Sequence, residues 1–290
     1  MTLTVETPRL NDLAEVVATL GEWQHTLGPV QLHPGDLGWF SLRGEAVLAT
    51  RLRAWRRNGA LIALGLLDEP DLLRMAVAPE IDADRDIAAQ LVIDLESSAA
   101  GVLPPGPAAV EARSGAALGE RLRLHGWEPD DPWVPLRRDL TEEVPDAAAE
   151  LGLSVDVVDD TNAAEWFAVH ASAFDGGGGV YWEPLRQSIP FRQGQCLLAR
   201  DTTGAAVGCI AVWSAGPNRP GLIEPLGVHP DHRRRGYGRA LNLAAARTLR
   251  SWQASEVTVC APTSQASTVQ AYIKSGFVAE AEVCDFVRRA

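Results

Sequence analysis

The sequence has few cysteines and no long apolar run. No stretch approaches the roughly 20 consecutive apolar residues that span a bilayer. The first residues also lack the basic segment and apolar run of a secretion signal. The four cysteines are widely separated and form no CxxC pair, so neither a zinc site nor a disulfide framework is indicated. We predict a cytoplasmic protein with reduced thiols, no membrane association and no metal.

Positive charge is also in deficit. The net charge of −12 and the isoelectric point near 5.0 disfavour a general affinity for nucleic acid or anionic lipid. A negatively charged protein suits an amine or another cationic substrate, although an acidic surface can also have no role beyond keeping the protein soluble. At 290 residues the chain exceeds the usual size of a single core, so we predict two domains.

Two segments of the first half recur in the second half. The sequence AVAPE at 76–80 parallels GVHPD at 227–231, and LRLHGW at 122–127 parallels YIKSGF at 272–277. Pro79 and Pro230 are 151 residues apart, and Gly126 and Gly276 are 150 apart. This nearly constant spacing indicates a duplicated domain.

An acidic, proline-containing stretch separates the two copies. We predict a first domain at 1–140, a linker at 141–152 and a second domain at 153–290. The copies differ chemically. The first has Asp82, Asp84 and Asp86 after Pro79, where the second has arginines and glycines after Pro230. Carboxylates there would repel a pyrophosphate, so we expect the first domain to lack a coenzyme site.

Apolar segments and turn residues alternate in both halves, which predicts a mixed α/β fold. The predicted strands are Leu3–Glu6, Ala46–Thr50, Ala60–Leu67, Ser154–Val158, Cys196–Arg200, Ala206–Ser214, Leu222–Val228, Glu256–Cys260 and Val283–Val287. The main helices of the second half are predicted at Gly238–Ser251 and Ala266–Lys274. A strand, a tight turn and a long helix therefore follow one another from Leu222.

The turn between that strand and that helix is RRRGYG, Arg233–Gly238. Its glycines allow close approach of a ligand, and the following helix directs its N-terminal amides and dipole at bound anions. The phosphate loop of nucleotide-hydrolysing enzymes requires GxxxxGK, which is absent, and the dinucleotide fingerprint requires a third glycine. A basic turn of this kind, taken alone, is also compatible with a solvated surface.

The surrounding residues give the turn a specific resemblance. The run VHPDHRRRGYG, with Arg233, Gly236 and Gly238 at the key positions, resembles the coenzyme-A motif of the GNAT acetyltransferase superfamily. The downstream pattern of Tyr272 followed by Gly276 and Phe277 resembles a second landmark of that family. Gln265 and Thr268 depart from the common pattern, which usually has Asn and Ala there.

The resemblance implies two tandem GNAT-like domains, each a mostly antiparallel twisted sheet flanked by helices, the first a degenerate copy. It also implies acetyl-CoA, or another short acyl-CoA, as cofactor. The residues that it assigns to cofactor binding are Leu226, Gly227, Val228, Arg233, Arg234, Arg235, Gly236, Tyr237, Gly238, Arg239 and Gln265. The amides of the strand at 226–228 would hold the thioester arm and polarise its carbonyl.

Two residues are candidates for proton transfer. The resemblance assigns to Tyr272 the role of acid toward the leaving sulfur; the alternative is a core tyrosine. Glu224 is our candidate base because strand periodicity puts it on the same face as Leu226 and Val228. A solvent-facing strand carboxylate is the alternative for Glu224.

A run of four glycines, followed by aromatic residues, predicts a mobile lid over the acceptor, although a surface loop would have the same composition. The predicted substrate contacts are Asp175, Tyr181, Trp182 and Glu183. We therefore expect an N-acetyltransferase for a small-molecule amine, a monomer or homodimer. The alternatives are a non-catalytic acyl-CoA sensor and a protein or peptide N-acetyltransferase.

Overall fold

The computed structural model describes residues 3–174, 176, 179 and 181–289. Within them the strands are β1 (Leu3–Glu6), β2 (Leu52–Arg57), β3 (Ala60–Glu69), β4 (Leu72–Val77), β5 (Ala108–Glu111), β6 (Glu128–Asp139), β7 (Ser154–Val157), β8 (Gly194–Arg200), β9 (Ala206–Trp213), β10 (Gly221–Val228), β11 (Glu256–Pro262), β12 (Val278–Ala279) and β13 (Val283–Arg288).

The α-helices of the same residues are α1 (Leu13–Glu22), α2 (Pro34–Phe40), α3 (Glu45–Arg51), α4 (Arg85–Glu96), α5 (Ala116–Leu124), α6 (Ala147–Glu150), α7 (Ala163–Ala173), α8 (Trp182–Gln187), α9 (Tyr237–Ser251) and α10 (Ala266–Lys274). Short 3₁₀ helices lie at Leu10–Asp12, Ser41–Arg43, Pro79–Ile81, Pro190–Gln193 and Pro230–His232. None of the described helices combines the length and the apolar character needed to cross a membrane.

One sheet runs through both halves of the chain, in the order β1-β2-β3-β4-β5-β13-β6-β11-β10-β9-β8-β7, and β12 pairs with β6. Neighbouring strands are antiparallel except at β4–β5 and β10–β11, which are parallel. The predicted mixed α/β fold with a mostly antiparallel sheet is confirmed. Each parallel pair follows the same local order of strand, 3₁₀ turn, helix and strand, as expected for a duplicated unit.

The two halves exchange strands where they meet. β13, from the end of the chain, pairs with β5, and its Phe286 packs into the hydrophobic core of the first half. β6, from the first half, pairs with β11, and its Leu136 packs into the core of the second half. Each half therefore completes its sheet with a strand from the other.

The predicted linker at 141–152 contains α6. Val144, Ala147 and Ala148 are buried in the core of the second half, so this segment packs against the domain that follows it. The boundaries 1–140 and 153–290 remain a proposal about folding units, because β6 and β13 each pair with a strand of the other half.

The predicted strand at Ala46–Thr50 is wrong: these residues lie in α3. The helix buries the adjacent Leu48 and Ala49, which a strand would direct to opposite faces of the sheet. Glu45 in the first turn and Arg51 in the last complement the helix dipole. The other predicted strands coincide with β1, β3, β7, β8, β9, β10, β11 and β13 within a few residues.

A wedge opens between β10 and β11. They pair only at Gly221 with Val257 and at Leu222 with Thr258, and β10 then continues to Val228 beside β9 alone. Beyond Leu222 the edge of β10 that faces β11 is therefore free of ladder partners from that strand. Main-chain groups on such an edge can bind an extended ligand.

Candidate active site

The arginine–glycine turn leads directly from the end of β10 into α9. Arg234 and Gly236 have left-handed φ values of 62° and 87°, and Gly236 immediately precedes the helix. Within the described residues, no side chain caps the N-terminus of α9. The first amides of the helix are thus available to an anion, and the helix dipole favours one.

A cleft of about 480 Å³ lies over this turn, between α9 and α10. Nine of the predicted site residues line it, namely Leu226, Val228, Arg233, Arg234, Gly236, Tyr237, Gly238, Arg239 and Tyr272. The lining also contains residues that the sequence did not single out as ligand contacts: Asn242, Ser267, Thr268, Ala271 and Lys274. The cleft thus extends from the turn to Tyr272.

Three predicted cofactor residues lie outside this lining. A Cβ on Gly227 would meet Ala173 and Phe174, so this glycine faces α7. The Arg235 guanidinium donates to the main-chain oxygen of Asp231, at 3.3 Å. Gln265 precedes α10, where its side-chain oxygen accepts a 3.3 Å hydrogen bond from the Thr268 hydroxyl.

Two arginines of the turn brace the main chain around the cleft. Arg233 donates to the carbonyl oxygens of Val228, at 3.2 Å, and Ala173, at 2.9 Å. Arg239 donates to the carbonyl oxygen of Lys274 at 3.2 Å and so joins α9 to the end of α10. These hydrogen bonds fix the charges of both arginines beside the turn.

The corresponding turn of the first half satisfies its own amides. At the 151-residue offset, Arg85 and Ile87 stand where the second half has Gly236 and Gly238. The Asp84 carboxylate accepts from the amides of Asp86 and Ile87, both at 3.1 Å. An internal carboxylate therefore occupies the position where an anionic ligand would bind the helix N-terminus.

A second carboxylate closes the same region from the other side. Asp82 accepts from the amides of Gly115 and Ala116, at 2.9 and 3.2 Å, at the start of α5. The depression that remains between α4 and α5 holds about 80 Å³ and is partly covered by the Arg85–Glu120 ion pair. The first half thus fills the space that the second half leaves open.

The second-half cleft fits the pyrophosphate and arm of a coenzyme A. Among the described residues, a Cβ on Gly238 would have only Val228 near it, at 3.8 Å, so the space above this glycine is open to a ligand. The Asn242 side-chain oxygen is buried and has no hydrogen-bond partner among the described residues, which leaves a polar acceptor at the wall of the cleft. The uncapped helix supplies the anion site.

Glu224 lies on β10 at an irregularity in the ladder, where the register to β9 shifts between Ile223 and Leu226. The Trp213 indole donates to the Glu224 main-chain oxygen at 2.7 Å and so fixes this point of the strand. The pKa of the Glu224 carboxyl is raised to about 8, mainly by burial and in part by the nearby Asp36 carboxyl, against the lowering effect of Arg74. A carboxyl with this pKa exchanges its proton near neutral pH.

Tyr272 is buried on α10, and its ring lies 5.3 Å from that of Phe277. Burial raises the pKa of its phenol above the ordinary value, and the charge of Glu224 adds to this effect. The phenol therefore keeps its proton across the physiological range. Tyr272 shares the cleft with Leu226 and Val228 of β10. Glu224 does not line the cleft, although its charge acts on the Tyr272 phenol, and the catalytic roles of both residues stay predictions.

The predicted acceptor contacts have partners within the chain, except for Asp175, which lies outside the described residues. Tyr181 is half exposed, with its ring 6.2 Å from Phe167. The Trp182 indole donates to Asp160 at 2.7 Å, and Glu183 accepts from Arg186 at 2.6 Å. Their role toward a substrate stays a prediction.

Sequence patterns did not indicate the groups that the first half supplies to Glu224. Asp36 in α2 and Arg74 in β4 both act on its pKa, although they lie far from it in sequence. The local signal at Asp36 is that of a helix start, since its carboxylate accepts from the amide of His33. Such a capping box gives no indication of a contact with β10.

The family comparison places residues 163–277 in the acetyltransferase (GNAT) family. No match was found among curated proteins. Similar solved structures include a GCN5-related N-acetyltransferase from Sphaerobacter thermophilus, with 19% identity, a TM-score of 0.56, and coverage of 99% of this chain and 95% of the other. A tandem GNAT protein from the clavulanic acid biosynthesis pathway has 18% identity, a TM-score of 0.58 and coverage of 99% and 98%.

A GNAT-family acetyltransferase from Colwellia psychrerythraea is similar over the full length of both chains, with 10% identity and a TM-score of 0.61. At these identities the likeness establishes the fold. The open cleft and its motif coincide with the segment that the family model matches. Residues 163–277 therefore form a domain of the GNAT acetyltransferase family, and the whole chain has the tandem GNAT fold.

Proposed function

We propose that this protein is an acetyl-CoA-dependent N-acetyltransferase that acts on the amine of a small molecule. The observation that carries the proposal is the difference between its two equivalent turns. Within the described residues, no side chain caps the helix N-terminus of the second half, which opens into a cleft. In the first half Asp84 occupies the corresponding amides of α4, and Asp82 occupies those at the start of α5. This contrast supports one coenzyme site per chain.

The cofactor would supply an activated acetyl group as a thioester. Gly238 and the first amides of α9 would bind its pyrophosphate, with Arg233, Arg234 and Arg239 contributing positive charge. The free edge of β10 at Leu226 and Val228 would hold the arm, and an amide of this edge would polarise the carbonyl. Gly227, Arg235 and Gln265 would act from outside the lining, through the main chain or after side-chain movement.

Proton transfer is assigned to two groups. Glu224 would accept the proton of the acceptor ammonium, so that the neutral nitrogen attacks the carbonyl carbon. A carbon–nitrogen bond forms and the carbon–sulfur bond breaks. Tyr272 would give its proton to the departing sulfur and regain one from the nitrogen, which loses its second proton as the amide forms. The raised pKa of Tyr272 keeps the phenol protonated until the sulfur departs.

The acceptor would bind on the α7 and α8 side of β10. The ring of Trp182 lies 5.5 Å from that of Phe191, and the Phe191 ring lies 5.7 Å from that of Trp213. Trp213 is hydrogen-bonded to the main chain of Glu224. Tyr181 and Glu183 lie in or next to α8. An aromatic and acidic surface of this kind suits a cation, in agreement with the negative net charge, and we keep the cytoplasm as the predicted location.

The test is thiol release from acetyl-CoA, followed against a library of small amines. Wild-type protein should release thiol with at least one amine, and Glu224→Gln should not. Glu165→Gln is the matched control, because Glu165 pairs with Arg200 on the surface and should leave turnover unchanged. Tight binding of coenzyme A without release for any amine would contradict the enzyme and favour the sensor; release only with peptides would favour a peptide acetyltransferase.

A further inference from the structure

A buried charge cluster joins the two halves behind Glu224. Arg74 on β4 contacts the carboxylates of Asp36, at 2.9 Å, and Glu111, at 3.1 Å. Glu111 in turn lies 3.5 Å from Arg113. The side chains of Asp36 and Glu111 are almost fully buried. Charges held this far from water must be compensated by one another.

Asp36 is held rigidly by the start of α2 at the contact between the two halves, which we call the joint. Its carboxylate accepts from the His33 amide at 2.6 Å. The His33 ring accepts from the Gly35 amide at Nδ1, at 2.9 Å, and contacts the Pro220 carbonyl at Nε2, at 3.2 Å. A carbonyl only accepts, so Nε2 carries the proton; burial lowers the pKa of His33 to about 4, and the ring is neutral.

The helix α2 lies directly on β9 of the second half. A Cβ on either Gly35 or Gly38 would overlap the indole of Trp213, so these glycines allow the main chain of α2 to rest on that ring. The same indole donates to the main chain of Glu224. Trp213 thus ties the position of Asp36 to the position of Glu224.

The Asp36 and Glu224 carboxyls face each other across the joint, near enough for each to shift the pKa of the other. Two carboxyls can share a hydrogen bond only if one of them is protonated. Arg74 from β4 and Glu111 from β5 act on both members of this pair. Asp68 from β3 lies near Asp36, and Tyr272 from α10 lies near Glu224. Arg113 after β5, Cys260 from β11 and Asp285 from β13 lie behind the pair, around Glu111 and Arg74.

We propose that Asp36 is a positioning residue that the first half supplies to the reaction: it holds the Glu224 carboxyl through a shared proton, while Arg74 fixes Asp36 from behind. The inference rests on the proposed role of Glu224 as the base. It gives the first half a function although that half lacks an open coenzyme cleft. The pair, backed by one guanidinium, sets the pH at which Glu224 becomes able to take a proton from the amine.

The proposal predicts a change in the titration of Glu224 when Asp36 is replaced. Both the charge of Asp36 and its hydrogen bond raise the pKa of Glu224, so Asp36→Asn should lower the titration midpoint by roughly one pH unit. Arg74 acts in the opposite sense, so Arg74→Gln should raise the midpoint. Asp36→Glu keeps a carboxyl at the joint and should restore part of the wild-type behaviour.

The experiment follows the side-chain carboxyl resonance of Glu224 by NMR in the whole chain labelled with ¹³C-glutamate, with Glu224→Gln identifying the resonance. The acid limb of kcat/KM for thiol release is the second readout. The control is Glu45→Gln, because Glu45 also bridges the halves, to the Ile189 amide, without touching Glu224. This variant should leave the midpoint unchanged.

A folded Asp36→Asn protein with an unchanged midpoint would overturn the proposal, even if its stability were reduced, because a structural role alone predicts that result. If that variant fails to fold, an unchanged midpoint in Arg74→Gln would overturn the proposal in the same way. The NMR titration needs no acceptor. If the wild type acetylates no amine, the proposed function fails, while the Asp36–Glu224 coupling is still decided by the spectrum.

Discussion

The two glycines of the turn have different physical roles, and substitutions can separate them. Gly236 has a φ of 87°, and a Cβ there would lie 3.2 Å from Leu151. Gly236→Ala should therefore cost about 1–2 kcal/mol of stability for the left-handed conformation. For a chain of this size each kcal/mol lowers Tm by about 2–4 °C.

Gly238 has ordinary helical geometry and open space around it, because the nearest atom to a Cβ is 3.8 Å away on Val228. Gly238→Ile reproduces the residue that the first half carries as Ile87. The side chain should fill the cleft while Tm changes little. Blocking two charge-assisted bonds of about 1.5 kcal/mol each should weaken coenzyme A binding roughly a hundredfold.

Calorimetric titration with coenzyme A and thermal unfolding measure these two effects, and neither needs an acceptor amine. Gly238→Ala is the matched control, since one added carbon at ordinary contact distance leaves the cleft open and should preserve most of the affinity. If Gly238→Ile bound coenzyme A as tightly as the wild type, the ligand would not lie against this turn. The assignment of the Arg233–Gly238 turn as the pyrophosphate site would then be wrong.

Three further predictions concern the chemistry and the joint. With a pKa of about 8, Glu224 is roughly one-tenth ionised at pH 7, so kcat/KM should rise about tenfold between pH 7 and pH 9 in a pH–rate profile. Tyr272→Phe should lower kcat roughly a hundredfold with little change in Tm, because the ring still packs on Phe277. Arg137→Met should lower the free energy of unfolding in urea by about 3–5 kcal/mol, because it leaves the buried Glu256 without its cation.

Each of these has a control and a contrary result. An arylamine acceptor is already neutral over this pH range and has no ammonium proton to lose, so its profile should be flat. The same tenfold rise with an arylamine would show that the pH dependence belongs to another group. Unchanged turnover in Tyr272→Phe would leave that residue a core tyrosine. For the ion pair, Arg137→Lys keeps the charge and should lose less stability than Arg137→Met; equal and small losses would show that Glu256 is compensated by other groups.

Local patterns predicted the parts of this fold that are local. The turn at Arg233–Gly238, the helix after it and the Tyr272 landmark involve residues close in sequence, and glycine positions and helical periodicity suffice to indicate them. The strand predicted at Ala46–Thr50 failed because a short run with Leu48 and Ala49 adjacent is compatible with either element. The end charges of Glu45 and Arg51 were the overlooked signal.

Contacts between distant segments could not be predicted in this way. Period-two alternation shows which face of β10 carries Glu224, yet it does not identify the element that covers that face. Asp36, 188 residues earlier in the sequence, has the local pattern of a helix cap. Its second contact, to Glu224, depends on how α2 packs on Trp213. That packing brings two glycines of α2 against an indole far away in the sequence, and no short sequence pattern predicts such a contact.

The exchange of β6 and β13 also orders events during synthesis. β5 pairs with a strand, Val283–Arg288, that is translated more than 170 residues later. The sheet of the first half therefore presents an unsatisfied edge to the ribosome exit and to chaperones until the rest of the second half has been made. The two halves therefore mature together, and the half that contains the open cleft depends on the other half to complete its fold.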